Sequence, residues 1–501
     1  MTNNQQYNQY TSILQKAADL NNASAVLSWD QEVYMPVGGA HFRGRQLATL
    51  ATMAHELLTS PELESLLTTL LTDDTLTPTQ RANVTRSHED YSKNKKLPSA
   101  FVEQLSTQTS ECFNAWIEAR DKNDFSVFAP SLTKMIALKR QQADLYSYSA
   151  HPYDALLDEY EPGATVAMID RIFDGVKAQL PPILASIKQA PQVDDLFFHR
   201  HYPKAQQWDF SVDVLKAMGY DLHTGRQDYS VHPFTTSFSP QDVRITTRID
   251  EHNYASLLWS TIHEGGHALY EQGLPTTEYG LPMGAAASLG IHESQSRLWE
   301  NCVGRGPHFW QQFYPTLQAY FPQQLADVSA LDFFKACNKV IPSLIRTEAD
   351  ELTYHFHVLI RYEIEKALID GSLSVQDLPT RWNELYQHYL GITPPDHRTG
   401  VLQDVHWSHG SLGYFPTYTL GSFYAAQFYA QAVADIPRLE EQIAAGNFQH
   451  LLTWLRTHIH AHGRRYVSEE LCELVTGKKL DTQCFITYIT HKYQQVYGIT
   501  L

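Results

Sequence analysis

The residues of this chain best suited to chemistry form a short motif of histidine and glutamate near the middle of the sequence. His263, Glu264 and His267 follow the pattern H-E-x-x-H, directly after an apolar stretch typical of a helix. Residues four apart lie one above the other on the same helix face, so both imidazoles can hold one metal ion. A carboxylate beside the first imidazole can reach a water molecule on that ion. This combination is typical of a zinc peptidase.

A catalytic zinc site usually has a third protein ligand and one position left open for water. The segment 290–300 has helical character and carries Glu293 and Glu300 on one face. An antiparallel arrangement of this helix against the motif helix would bring the carboxylate of Glu293 to the two imidazoles. Glu300, two turns further on, is expected to support the site or the structure, and His292 is expected to point elsewhere.

Other histidines are weaker candidates for a metal site. The three histidines within 458–462 look like metal ligands, but we expect them on a solvated helix face. His355 and His357 are two residues apart on a predicted helix, so they cannot share a ligand face. His406 and His409 lie in a long irregular segment and stay open as catalytic candidates.

Helical periodicity dominates the regions that must position these residues. Apolar residues recur three and four apart over segments too long to be strands. These predicted helices cover 10–27, 101–122, 130–149, 165–189, 331–369 and 448–462. No internal repeat or flexible linker interrupts them, which favours one continuous helical domain over residues 1–501.

Two stretches differ from this helical pattern. Residues 228–250 are rich in β-branched side chains and partly alternate in polarity, which predicts a short hairpin or small sheet directly before the motif helix. Residues 391–421 show little periodicity and are rich in glycine, proline, histidine and tyrosine. An irregular segment of that length inside a compact domain is usually functional.

Composition and charge exclude several classes of protein. The chain has 55 acidic and 38 basic residues and a formal charge of −17, so neither nucleic acid nor an anionic membrane is an expected partner. No apolar run approaches the roughly 20 residues that span a bilayer. The five cysteines are scattered and the first residues are polar, which indicates no disulfide framework and no signal peptide. These features favour the cytoplasm.

Taken together, these residues resemble the carboxypeptidase Taq family of metallocarboxypeptidases. The resemblance goes beyond H-E-x-x-H and covers essentially the whole chain, because further family signatures occur in the family's order. They are HPF at 232–234, DVRIT at 242–246, HESQ at 292–295, IRTEAD at 345–350 and GVLQDVHW at 400–407.

The resemblance implies a mostly helical, saddle-like fold with a deep groove and a small sheet beside the metal, often as a homodimer. It also implies a carboxypeptidase that removes C-terminal residues from peptides with broad specificity. Zinc is the expected ion and cobalt an effective substitute. The resemblance favours Glu293 as the third ligand beside His263 and His267.

The predicted mechanism follows from these residue types. A metal ion lowers the pKa of a bound water from about 15.7 toward about 7. Glu264 would take the proton of that water and pass it to the leaving amine. His406 and Tyr418 are the candidate donors to the oxyanion, with Tyr414 a weaker candidate.

Recognition of a free C-terminus requires a group that binds carboxylate, and arginine binds it through two parallel hydrogen bonds. Arg346 is the candidate by its position in the family signature, and the alternative is an ion pair with Asp350 one helical turn later. Arg244, on a predicted strand, is expected to help define the groove. Gln403, Asp404 and Asp350 would either orient ligands or pack, and the residues leave both open.

Two rival functions are compatible with the same motif. An endo-acting zinc oligopeptidase would share the metal site, and activity on a peptide with an amidated C-terminus would distinguish it. A non-catalytic helical binding protein stabilised by a metal is the other. Glu264 argues against the second, since a structural site needs no base and usually fills all four positions of its metal.

Overall fold

The computed structural model describes residues 3–500 of the chain, and most of them are helical. Helices make up 68% of the residues, which confirms the prediction of a mostly helical fold. The α-helices are α1 (Asn3–Val33), α2 (Ala40–Leu58), α3 (Pro61–Leu71), α4 (Pro78–Lys95), α5 (Ser99–Lys122), α6 (Phe125–Tyr146), α7 (Pro152–Leu157), α8 (Val166–Gln189), α9 (Lys204–Met218), α10 (Tyr254–Glu271), α11 (Leu289–Arg297), α12 (Pro307–Tyr320), α13 (Ala330–Cys337), α14 (Tyr354–Asp370), α15 (Leu378–Leu390), α16 (Pro416–Asp435), α17 (Leu439–Ala444), α18 (Gln449–His458), α19 (Ser468–Thr476) and α20 (Thr482–Tyr497). The strands are β1 (Gly225–Tyr229), β2 (Thr235–Ser239) and β3 (Asp242–Thr247).

These elements form two compact units, each assembled from three segments of the chain. Unit one contains residues 3–94, Asp194–Cys337 and Tyr424–Leu480. Unit two contains Lys95–Val193, Asn338–Phe423 and residues 481–500. The division into compact units does not test the prediction of one catalytic domain over residues 1–501, which stays a prediction.

Helix α10 carries the H-E-x-x-H motif through the interior of unit one. It packs against α9, α11 and the sheet, because its apolar residues recur at helical spacing. The helix ends at Glu271 and is followed by Gly273 and Pro275, as the sequence predicts. Its buried apolar residues include Tyr254, Leu257, Leu258, Ile262, Ala268 and Leu269.

The sheet directly before α10 has three strands in the order β1-β3-β2, and β3 lies in the centre. Strand β1 is parallel to β3, whereas β2 is antiparallel to it. The prediction of a small sheet within 228–250 is confirmed, although β1 begins slightly earlier, at Gly225. Strand β2 packs against α10 and thereby reaches the metal motif.

Helix α14 forms the centre of unit two and packs against α6, α7, α8 and α15. Its Glu365 is fully buried, and burial raises the pKa of this carboxyl group to about 7. The indole of Trp407 donates to one oxygen of Glu365 at 2.7 Å, and the amide of Gly413 donates to the other at 2.9 Å. Glu365 therefore holds the irregular segment that contains His406.

Two of the predicted helices are shorter in the structure. The prediction of one helix over 331–369 is wrong, because α13 ends at Cys337 and α14 begins only at Tyr354. Pro342 lies between them, and proline disfavours helical backbone at the residue before it. The helix predicted over 448–462 ends at His458 and continues as a 3-10 turn.

Within residues 3–500, none of the helices combines the length and the apolar composition that crossing a membrane requires.

Candidate metal centre

Unit one brings together the three residues that were predicted to bind metal. Oε2 of Glu293, on α11, lies 3.7 Å from Nε2 of His263 and 3.5 Å from Nε2 of His267, both on α10. The candidate ligand atoms of these three residues all lie within 4.8 Å of one another. Helices α10 and α11 pack against each other in opposite directions, since His263 contacts Glu300 whereas Glu271, two turns later, contacts His292.

The donor set fits a tetrahedral metal ion with one open position. Zinc–ligand bonds of about 2.0–2.1 Å place tetrahedral ligand atoms roughly 3.3 Å apart, close to the separations from Glu293. Burial opposes the negative charge of Glu293, but Arg297 and His263 hold the pKa of its carboxyl group well below the usual value. Burial and the nearby His292 lower the pKa of His267 to about 3, which favours the neutral imidazole that binds metal.

Glu300, just beyond the end of α11, contacts the candidate ligand His263. Its Oε2 lies 2.8 Å from Nδ1 of His263, which leaves Nε2 of that imidazole directed at Glu293. Two arginines, Arg297 and Arg305, donate to the same carboxylate. The segment Leu298–Gly304 is a π-helix, a wider turn that is frequent at functional sites, and it places Glu300 between these partners.

His292 contacts the candidate ligand His267, and the prediction that it points elsewhere is wrong. Its Nδ1 lies 2.6 Å from Nδ1 of His267, and its Nε2 lies 2.8 Å from Oε1 of Glu271. Sequence reasoning missed Glu271, although it follows His267 by four residues on the same helix face. The role of His292 depends on how α11 packs, which spacing within one helix does not reveal.

Glu264 lies beside the ligands and is held by strand β2. The hydroxyl of Thr235 donates to Oε2 of Glu264 at 2.7 Å and to its backbone oxygen at 2.9 Å. Burial raises the pKa of Glu264 above the usual value for a glutamate. Thr235 was not identified from the sequence, because its contact depends on the packing of β2 against α10.

The two glycines of the motif allow close packing around α10. A Cβ on Gly266 would lie 2.7 Å from Cα of Ser296, which is a backbone atom of α11. A Cβ on Gly265 would lie 2.8 Å from the end of the Leu215 side chain on α9. Gly266 therefore sets the distance between the two helices that carry the candidate metal ligands.

Unit two contains a second group of predicted site residues, centred on Asp404. Arg346 donates to Oδ1 of Asp404 from Nε and Nη2 at 3.1 and 3.0 Å, and Arg361 donates to Oδ2 from Nε at 2.7 Å. Gln403 accepts from the backbone of Arg346 and from the side chain of Arg361. Two guanidinium groups thus share the carboxylate of Asp404, which is 12% exposed.

The alternative ion pair between Arg346 and Asp350 does not occur. Arg346 lies in a 3-10 turn rather than an α-helix, so the expected spacing of one helical turn is lost. The carboxylate of Asp350 instead accepts from the backbone amides of Ile341, Leu352 and Thr353 just before α14. Asp350 therefore shapes the entry to that helix. Arg361 was missed, because nothing in its spacing connects it with Arg346.

His406 and Tyr418 lie together in unit two, with Nε2 of the imidazole 3.4 Å from the phenolic oxygen. Burial lowers the pKa of His406 to about 4, so the ring is neutral at neutral pH. Tyr414 packs its ring against both, with centroid distances of 5.3 Å to His406 and 5.4 Å to Tyr418.

Arg244 lies on β3 and binds the carboxylate of Asp242 through two hydrogen bonds of 2.8 Å. Its guanidinium also lies over the rings of Trp29 and Phe238, at 4.4 and 4.8 Å from their centroids. Arg226 of β1 pairs in register with Arg244 and also contacts Trp29. Arg244 is therefore part of a stacked cluster at the sheet.

Three other histidines considered from the sequence, His355, His357 and His460, have structural partners. His355 and His357 are buried and contact the hydroxyls of Thr419 and Tyr386, respectively. The expectation of a solvated face at 458–462 is wrong for His460, which is fully buried and contacts Oε1 of Gln295 at 3.0 Å.

Comparison with known proteins agrees with this geometry. The family model for the carboxypeptidase Taq (M32) metallopeptidases matches residues 9–493. Thermostable carboxypeptidase 1 of Thermus thermophilus is 42% identical over 99% of this chain and 100% of its own length.

Solved structures are also similar to this chain in sequence and fold. A structure described as "The Structure of CHT" is 56% identical, with a TM-score of 0.97 over 98% of this chain and 99% of that one. The M32 carboxypeptidase of Deinococcus radiodurans R1 is 39% identical, with a TM-score of 0.97 over 99% of this chain and all of that one. The chain therefore belongs to the carboxypeptidase Taq (M32) family of metallopeptidases and is a metal-dependent carboxypeptidase.

Proposed function

We propose that this enzyme removes C-terminal residues from peptides with broad specificity and that zinc is its metal, with cobalt an effective substitute. The single observation that carries the proposal is the meeting of His263, His267 and Glu293 beside Glu264. Two imidazoles and one carboxylate form a common ligand set of catalytic zinc, and three protein ligands leave one position for chemistry. Glu264 places a carboxylate beside the three candidate ligands without being one of them, and this supports a catalytic site rather than a structural one.

Each residue of the motif has a distinct task in this proposal. His263, His267 and Glu293 hold the ion, which when bound acidifies water and polarises the peptide carbonyl. Glu264 accepts the proton of the attacking water and returns it to the leaving amine. Thr235 keeps the carboxylate of Glu264 oriented by donating to one of its oxygens, so that the other oxygen remains available.

We propose His406 and Tyr418 as donors to the oxyanion that develops on the peptide carbonyl. Support comes from the low pKa of His406, which keeps the ring neutral, and from its contact with the Tyr418 hydroxyl. A neutral imidazole and a phenol each carry one hydrogen that can be donated. Tyr414 remains the weaker candidate for the same task.

We propose that Arg346 binds the free carboxylate of the substrate and that Arg244 helps define the binding region. Arg346 and Arg361 both pair with the carboxylate of Asp404, and this concentration of guanidinium groups supports binding of a further carboxylate. Arg244 already binds Asp242 and stacks on Trp29, which supports a shaping role for Arg244 rather than direct capture of a carboxylate.

The test compares one peptide with a free and with an amidated C-terminus, with metal removed and then restored. A carboxypeptidase should release the terminal residue from the free peptide, lose most of its activity on the amide, and recover activity when zinc or cobalt is added back. Comparable cleavage of both peptides at internal bonds would instead identify an endo-acting oligopeptidase.

We also infer a homodimer and a cytoplasmic location. Val37, just before α2, and Phe42, in its first turn, expose 93% and 63% of their surfaces, which supports an association surface there. None of the five cysteines, all of which lie within the described residues, forms a disulfide, which supports a reducing compartment. Sedimentation analysis of the wild type and of Phe42→Ser tests the first inference, and cell fractionation tests the second.

A further inference from the structure

Three side chains form a continuous hydrogen-bonded relay that starts at a metal ligand. Nδ1 of His267 lies 2.6 Å from Nδ1 of His292, and Nε2 of His292 lies 2.8 Å from Oε1 of Glu271. We refer to His267, His292 and Glu271 as the relay. All three belong to unit one and lie on the two helices that carry the metal ligands, α10 and α11.

The positions of the hydrogens in the relay follow from metal binding. Nε2 of His267 faces Glu293, so this nitrogen must offer its lone pair to the ion. Nδ1 of His267 then carries the hydrogen and donates it to Nδ1 of His292. The hydrogen of His292 must therefore be on Nε2, from which it is donated to the Glu271 carboxylate. Every donor in the relay meets an acceptor, and the order cannot be reversed without protonating the nitrogen that binds metal.

We propose that His292 and Glu271 are positioning residues that hold His267 in the tautomer and orientation that bind metal. The inference rests on the proposed function, because it assumes that His267 is a ligand. His292 acts directly on His267, and Glu271 acts through His292. Neither residue is required to touch the substrate.

Packing around His292 fixes its ring for this task. The rings of His292 and His267 have a centroid distance of 4.5 Å, and Tyr270 packs its ring edge-on against His292 at 5.3 Å. Tyr270 is itself held, because its hydroxyl accepts from the amide of Ala287 at 3.1 Å. The acceptor for His267 is thus immobilised from two sides.

The two imidazole ligands have different kinds of support. His263 donates from Nδ1 directly to a carboxylate, Glu300, whereas His267 reaches its carboxylate, Glu271, only through a second imidazole. Substitution of His292, the middle member of the relay, therefore removes the hydrogen-bond acceptor for the Nδ1 hydrogen of His267. An unpaired buried donor is costly, so the ring is expected to turn or to exchange tautomers.

The test uses substitutions that separate hydrogen bonding from side-chain volume. His292→Leu removes the acceptor for His267, whereas His292→Asn restores an oxygen close to the position of Nδ1. Glu271→Ala removes the terminal acceptor, whereas Glu271→Gln keeps an oxygen that accepts from His292. His388→Leu, at an exposed position of α15, serves as the control for loss of a histidine.

The measurement is the zinc dissociation constant, obtained by competition with a chromophoric chelator on the full chain. Loss of a residue that orients a metal ligand typically weakens binding about 10- to 100-fold, and we expect this for His292→Leu. The loss of zinc affinity in Glu271→Ala should lie in the lower part of that range. The dissociation constants of the Asn and Gln variants should stay within a factor of about three of the wild-type value. The visible spectrum of bound Co²⁺ should change in the Leu and Ala variants and not in the His388 control.

Wild-type zinc affinity in folded His292→Leu would overturn the proposal, as would equal losses in the Leu and Asn variants, which would indicate packing alone. If His292→Leu does not fold, the Glu271→Ala and Glu271→Gln pair decides in the same way. Failure of the proposed function is recognised separately. In that case the wild type would bind no zinc, or His263→Ala would bind zinc as well as the wild type does.

Discussion

Both candidate imidazole ligands, His263 and His267, turn Nε2 toward Glu293 because Nδ1 of each already contacts a neighbouring side chain. Glu300 holds His263 and His292 holds His267, at 2.8 and 2.6 Å. Pairing of the second ring nitrogen fixes the tautomer, so the ligand set is prepared before an ion arrives. At the scale of single residues, the site is thus defined as much by the partners of the ligands as by the ligands.

Glu264→Gln separates proton transfer from metal binding. The amide cannot accept the proton of water, although it can still accept a hydrogen bond from Thr235. We expect a loss of about 10²- to 10⁴-fold in kcat with unchanged zinc content, measured by peptide hydrolysis and elemental analysis. Substantial remaining turnover would exclude Glu264 as the base, and loss of zinc would mean that it also binds the ion.

Tyr418→Phe and Tyr414→Phe form a matched pair for the oxyanion donor. Removal of one such donor typically lowers kcat by about 10²- to 10³-fold, and we expect this loss for Tyr418→Phe only. Tyr414→Phe should retain kcat within a factor of a few, because its ring packing is preserved. A fall only in the Tyr414 variant would reverse the assignment, and no fall in either would remove tyrosine from the mechanism.

Arg346→Ala should mainly weaken capture of free C-termini. A hydrogen bond to a charged group contributes about 1.5–3 kcal/mol, so KM is expected to rise roughly 10- to 100-fold on peptides with a free carboxylate. The loss of its pair with Asp404 should also lower the thermal midpoint. Arg381→Ala, at an exposed position of α15, is the control. An unchanged KM together with a lower midpoint would assign Arg346 to structure alone.

At the scale of elements, the contact between α10 and α11 depends on one missing side chain. Gly266→Ala would place a Cβ 2.7 Å from Cα of Ser296 and 2.8 Å from the backbone oxygen of Gln295. Gly265→Ala meets only the ends of the Leu215 and Met218 side chains, which can move. The pair therefore compares a backbone clash with a side-chain clash at adjacent positions of one helix.

We expect Gly266→Ala to destabilise the protein by about 1–3 kcal/mol, as overpacking does, although alanine favours helix by about 1 kcal/mol. Its zinc affinity should fall too, because α11 carries Glu293. Gly265→Ala should be close to neutral. Thermal unfolding and zinc competition measure both effects, and a Gly266 variant as stable as the Gly265 variant would contradict the close approach.

The sequence predicts the helices and motifs that depend on residue spacing within one segment. It does not predict which side chains from other segments pack against them. The spacing of His263 and His267 predicts their shared helix face, and apolar periodicity predicts α10 and α14. The same periodicity continued across 338–353 and concealed the break at Pro342. It also placed His460 in solvent and His292 away from the metal, because periodicity identifies a face but not what packs against it.

At the scale of the whole molecule, the segments of the two units alternate along the chain. A fragment that ends at Cys337 would contain every candidate metal ligand but would lack Tyr424–Leu480, the third segment of unit one. His460 belongs to that segment and contacts Gln295, two residues after Glu293. Experiments on the metal centre therefore require the full chain.

The stability of the whole molecule should depend on pH through Glu365. Its pKa is about 7 in the folded chain, against an ordinary value of 4.5. Between these values the folded chain keeps a proton that the unfolded chain has lost, so the free energy of unfolding falls as pH rises. A difference of about two and a half pKa units corresponds to roughly 3 kcal/mol, lost in full above about pH 7.

Urea unfolding of the wild type and of Glu365→Gln between about pH 5 and 8 measures this dependence. The Gln variant should show a flatter decline over that range, whatever its absolute stability, because it has no proton to lose. Glu384→Gln, at an exposed position, should follow the wild type. Equal slopes in all three would show that Glu365 titrates near its ordinary value in the folded chain.

The π-helix Leu298–Gly304 has a consequence for how this region can change in length. Deletion of one residue here would turn the following residues about the helix axis and would move Arg305 away from Glu300. An insertion of one residue would rotate it the other way. Insertions and deletions are usually tolerated in loops, but this stretch lies inside a continuous helical segment beside the metal ligands. Its length is therefore fixed to the single residue.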